Sequence, residues 1–115
     1  MPALLTIILA SILASSQIAL ADQVPEFNVD PGCHAAAMAV APADRHEDAC
    51  KRSEREARGK LEQEWGQFTP AQRSRCVTLS TLGGSPSYVE LLTCLEMAKD
   101  VENQRATDRP ARAKP

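Results

Sequence analysis

Apolar residues along this chain fall into two regimes. From Leu4 to Ala14 they run unbroken, and after Ser15-Ser16-Gln17 the chain resumes with Ile18-Ala19-Leu20-Ala21 before its first charge, Asp22. Beyond that point they recur at helical spacing among dense charge. Between Asp44 and Gln67 they form a narrow stripe of Cys50, Ala57, Leu61 and Trp65, closed by Phe68. Cys76, Val77, Leu79 and Leu82 mark a shorter helix over 69–82. Tyr88, Leu91, Leu92, Leu95 and Val101 line one face of a helix from Pro86 to about Asn103. Residues three and four apart share a helix face, whereas a half-buried strand needs alternation by two, which no segment shows.

The punctuation between these runs agrees. Asp30-Pro31 offers an N-cap followed by proline at the first helical position, opening an alanine-rich segment to about Val40. Asp44 has Glu47 three residues on, the spacing of a capping box, and Thr69-Pro70 has Gln72. Ser85-Pro86 repeats the cap-then-proline pattern, with Ser87 and Glu90 as a competing start two residues later. Proline suits the first helical position because its missing N–H has no partner there and its fixed φ matches the helix. Gly83-Gly84 stops the preceding helix. These signals predict an all-α fold: a small disulfide-stapled hairpin or bundle over 31–104, with three main helices and a short N-terminal one. An irregular segment over 22–30 precedes it. A disordered basic tail over 105–115 follows, where Arg105, Arg109, Arg112 and Lys114 face only Asp108. That tail is expected to be solvated; the alternative is a patch for an acidic surface.

The first apolar run changes the picture most. Its length, and its small-x-small end at Ala19 and Ala21, match a signal peptide over 1–21 cleaved to leave Asp22 as the new N-terminus. A membrane span needs about 20 predominantly apolar residues, which the polar interruption denies it. The segment before Leu4 carries no lysine or arginine, so its positive charge comes from the terminal amine alone. The 43% hydrophobic content is inflated by this run and by alanines. The large apolar residues left make a thin core, which a domain of this size reinforces with disulfides, metal or a partner. All four cysteines, Cys33, Cys50, Cys76 and Cys94, follow the leader. An even count in an exported chain points to two disulfides and a periplasmic or secreted location.

Helix geometry bears on the pairing. Cys76 lies six residues before Leu82 and Cys94 eight after Pro86, which brings them level in an antiparallel hairpin. Cys33, seven before Val40, and Cys50, six after Asp44, behave alike. A direct hairpin of the long helix with the next would leave Cys50 and Cys76 about 18 Å apart at 1.5 Å per residue, beyond the Cα–Cα limit near ~7 Å. Cys33–Cys50 with Cys76–Cys94 is therefore favoured; Cys33–Cys94 with Cys50–Cys76 competes if the long helix bends.

Chemistry is sparse. A net charge of −2 with interleaved signs is not the footprint of a nucleic-acid binder. There is no phosphate loop, dinucleotide fingerprint or nucleophile elbow. No C-x-x-C pair suggests a thioredoxin-like centre. His46-Glu47 with Cys50 has the outline of a zinc-protease helix, but cysteine replaces the second histidine and only Cys33 and His34 remain as further ligands. No metal, cofactor or catalytic residue is expected. Gly83-Gly84-Ser85-Pro86-Ser87 reads as a helix stop joined to the next cap rather than an anion cradle. Arg73 and Arg75 are expected on a solvated face or paired with acids of the long helix. Leu61, Trp65 and Phe68 form the main aromatic cluster, expected as core or, alternatively, as a partner-docking face, as is the Tyr88–Leu92 face.

From Cys50 onward the chain resembles a family of short, uncharacterised exported proteins of Gram-negative bacteria. The resemblance rests on Cys50, Glu54, Ala57, Arg58, Leu61, Trp65, Phe68, Arg73, Cys76 and the run Pro86-Ser87-Tyr88-Val89-Glu90-Leu91-Leu92, ending Cys94-Leu95. It covers under half of the chain and excludes Cys33. It implies a periplasmic helical domain and brings no catalytic residues. The expectation is thus a non-enzymatic helical module that binds a protein or envelope component. A secreted inhibitor or effector, and a metal-handling protein using His34, His46 and free thiols, are the alternatives.

Overall fold

A computed structural model describes residues 23–112, with side chains through Arg109. The expected leader over 1–21 and residues 113–115 lie outside the described residues. The chain forms α1 (Asp30–Met38), α2 (Ala43–Glu64), a 3-10 turn (Trp65–Gln67), α3 (Pro70–Thr81) and α4 (Tyr88–Arg112). No strand occurs among the described residues, so the fold is the expected small all-α bundle. The segment before α1 is irregular.

Helix α4 organises the packing. Both α2 and α3 pack on it rather than on each other, while α1 packs on α2. Contacts fix the directions. Glu54, Lys60 and Gln67 meet Tyr88, Glu96 and Lys99 in the same order, so the chain from α2 into the turn runs parallel to α4. Cys76 and Gln72 meet Cys94 and Glu102, so α3 runs antiparallel to it. The core is Ala57, Leu61, Trp65, Phe68, Cys76, Tyr88, Leu91, Leu92 and Leu95, with Val24, Phe27 and Val29 of the N-terminal segment packed against it. Full burial of one such leucine or phenylalanine contributes about 1.5–3 kcal/mol.

The cysteines pair as Cys33–Cys50 and Cys76–Cys94, with Cα separations of 5.5 and 5.6 Å. The competing connectivity required α2 to meet α3, which it does not. None of the cysteines is free, so a metal site built on free thiols is overturned.

Three expected starts are displaced. Helix α1 already includes Asp30, whose N–H is directed at the Asn28 side chain at 3.3 Å. Helix α2 is preceded by Pro42 and has no side-chain cap; Asp44 falls inside its first turn, and Glu47 turns instead to Lys51 and His34. The Ser87–Glu90 start prevails over Ser85-Pro86, with the Glu90 N–H donating to Ser87 Oγ at 3.2 Å. The box at Thr69 and Gln72 forms as read, through reciprocal bonds of 3.1 and 2.9 Å. Gly84 takes φ 75°, a left-handed conformation suited to glycine, in the connection after α3.

The far end of α4 departs from expectation. Residues 105–112, expected to be disordered, continue the helix. Between Asn103 and Pro110 the chain carries glutamine, alanine and two arginines and no glycine, residues that can continue a helix, and Pro110 falls only in its last turn. Val101, expected on the buried face, is 45% exposed. The chain turns away from α4 after Gln67, and Gln72, near the start of α3, is already level with Glu102. The helix outruns its neighbours.

Candidate partner-binding surface

The aromatic cluster, expected as core or alternatively as a docking face, is core. Leu61 is 0%, Trp65 7% and Phe68 2% exposed, so the cluster is spent on the core, although Trp65 also lines two shallow surface pockets beside Gln23. Tyr88, Leu91 and Leu92 are buried with them. Cations close the aromatic faces from outside. The Arg73 guanidinium lies 5.6 Å from the Trp65 ring, Lys99 Nζ 5.9 Å from Phe68, and Arg58 5.6 Å from Tyr88. Arg73 also donates to the Phe68 carbonyl at 3.0 Å, so it is a packing residue rather than a solvated one. Trp65 Nε1 is buried without an acceptor.

Two polar arrangements escaped the sequence reading. Glu54 is 6% exposed, yet its carboxylate accepts from the Tyr88 N–H and from the Ser87 hydroxyl, each at 2.6 Å. It caps α4 from another helix. Its phase was the available signal, since it stands four after Cys50 and three before Ala57, within the apolar stripe. The second arrangement is a strap. The Tyr88 hydroxyl accepts from the Phe27 N–H at 2.8 Å and donates to the Pro25 carbonyl at 2.9 Å, while the Phe27 and Tyr88 rings lie 4.9 Å apart. Glu26 pairs with Arg58 beside them. Residues 24–29 thus cover the core in an irregular conformation that no periodicity announces.

Of the histidines, His34 lies on the surface with Nδ1 3.4 Å from Glu47 Oε2, and His46 is exposed one turn before the bonded Cys50. That bond replaces the thiolate a metal ligand needs.

Among the described residues, a groove of about 580 Å³ opens between α3 and the distal half of α4. It is lined by Gln72 and Arg75 of α3 and by Met97, Val101, Arg105 and Arg109 of α4. Met97 is 63% exposed, although such a side chain gains by burial. Glu102 also lines the groove and accepts from Gln72 Nε2 at 2.7 Å. Arg75, Arg105 and Arg109 make no ion pair among the described residues. The groove is therefore apolar along part of its floor and basic at its rim. Positions 97, 101, 105 and 109 stand four apart, which a helical reading of the tail makes one stripe. The chain matches no protein-family model, and neither a curated protein nor a solved structure shows significant similarity to it.

Proposed function

We propose that this protein is a non-enzymatic binding module of the periplasm or the extracellular space, which engages a protein or envelope component through the α3–α4 groove. The observation that carries this reading is the groove itself. It is a broad concavity in which exposed apolar side chains occur together with cations that make no ion pair among the described residues, on a bundle whose aromatic residues are largely consumed by the core. Two disulfides and the leader-like segment over 1–21 support action outside the cytoplasm. The resemblance of the Cys50–Leu95 stretch to exported proteins of Gram-negative bacteria supports the same compartment. An inhibitor or effector shares this scaffold, but no observation favours it.

The test is capture from an envelope extract by the immobilised mature chain, repeated with Met97→Asp. The substituted side chain is exposed, so the fold is retained. A component held by the parent chain and released by the variant is the expected result. Equal capture by both excludes the groove as the binding surface.

A further inference from the structure

We propose that the occupant of the α3–α4 groove is an acidic amphipathic helix of a partner protein; this rests on the binding-module reading above and specifies its partner. Three features select that chemistry. The groove is a trough between two helices, a shape that receives a rod. A lipid surface is instead met by a convex or flat apolar face. The groove's lining along α4 runs from Met97 to Arg109, about 18 Å at 1.5 Å per residue or roughly three turns of a docked helix. Helix α3 walls the part up to Thr69 and Gln72 beside Glu102, and α4 alone carries the contact surface beyond.

The charges select the sign. Arg105 and Arg109 stand one turn apart on α4, and Arg75 adds a further cation from α3, about level with Met97. Glu102, the acid among the lining residues, already holds Gln72. Arginine pairs with carboxylates through a planar fork of donors, so glutamates one turn apart on the incoming helix meet Arg105 and Arg109 in register. Met97 and Val101 then take the apolar face of that helix. A second copy of the chain offers a poorer match, because acids and bases interleave along the exposed face of its helix α2.

The probe is a labelled amphipathic peptide of about 16 residues, with leucines on one face and glutamates at i, i+4 along its flank. A twin carries lysine in place of each glutamate. The expected result is saturable binding of the glutamate peptide by the full mature chain, weakened by salt and absent with the twin. Arg105→Glu with Arg109→Glu should lower the affinity about tenfold or more and admit the lysine twin. Circular dichroism of the variant checks that its helices persist. Failure to bind the glutamate peptide overturns the proposal, as does binding indifferent to peptide charge. Binding to phosphatidylglycerol vesicles in preference to the peptide assigns the groove to lipid and overturns it. A dimer of the purified chain that dissociates on the arginine reversals assigns the groove to a second copy, with the same consequence. A chain that captures an envelope component through Met97 yet ignores the glutamate peptide keeps the binding-module reading and loses this one.

Discussion

The carboxylate of Glu54 on α2 holds the first amide of α4, accepting from the Tyr88 N–H at 2.6 Å. Helix N-termini leave donors without partners, and these are usually satisfied by the residue just before the helix. Here the task is shared across the bundle: Ser87 Oγ serves the Glu90 N–H and donates its own proton to Glu54. A buried charge is costly unless hydrogen-bonded, and these donors supply that compensation. The pair thereby sets the register of α4 against α2.

Glu54→Ala is expected to destabilise the fold by about 2–4 kcal/mol, because it uncaps α4 and leaves a buried amide without an acceptor. Glu54→Gln should cost less, since its amide oxygen still accepts one of the two bonds. Urea denaturation of the three proteins measures this. An unchanged midpoint for the alanine variant would show that the cap carries no stability.

The two disulfides are expected to differ in consequence. Each closes a loop of 17 or 18 residues, worth about 3 kcal/mol if the loss of unfolded-chain entropy dominates. Helix α1 buries only Cys33 and Ala37, whereas Cys76 lies within the main core. Replacing Cys33 and Cys50 by serine should release α1 and spare the environment of Trp65. The same change at Cys76 and Cys94 should unfold the bundle. Tryptophan fluorescence and far-ultraviolet circular dichroism distinguish the outcomes, and identical behaviour of the two variants would refute the difference.

Tyr88→Phe keeps the ring stacked on Phe27 but removes the hydroxyl that joins Phe27 N–H to the Pro25 carbonyl. A loss of about 1–2 kcal/mol is expected, with two backbone groups giving up their partner. Amide exchange should accelerate in residues 24–29 while protection in α4 persists. Uniform acceleration across the chain would mean that the strap is not a separate unit.

At the surface, the hydrogen bond from His34 to Glu47 holds the carboxyl below its ordinary value of 4.5, opposed by partial burial and assisted by Lys51. A depressed folded-state value stabilises above the unfolded value and loses that effect as pH falls through the folded one. The contribution of Glu47 to the α1–α2 contact should therefore be lost as pH falls below about 4.5. Carboxyl chemical shifts followed by NMR should show Glu47 titrating low, and His34→Ala should move it upward. A titration unaltered by that substitution counts against the contact.

Periodicity and punctuation made the helices legible because they are local: the stripe at Leu61 and Trp65, the Thr69 box and the Gly83-Gly84 stop each act within a few residues. The disulfide register also followed from local lengths, since two short antiparallel hairpins bring their cysteines level. The groove was not legible, although its residues were noticed singly. By spacing alone Arg75 is a solvated charge or a partner for acids of the long helix, and Arg105 and Arg109 belong to a basic tail. Only the antiparallel packing of α3 on α4, with α4 continued as helix past Asn103, lines them along one groove.

The amino-acid sequence by itself thus determined an all-α chain, its helix order, its apolar stripe and the favoured cysteine pairs. Spacing and capping act over one or two turns, where chain connectivity already sets the geometry. Tertiary structure alone decided which faces are spent. It sent Leu61, Trp65 and Phe68 inward, drew Glu54 into the core to hold Tyr88, and left Met97 and Val101 bare. Burial depends on what lies opposite a face, and that is fixed by which helices meet rather than by either helix alone.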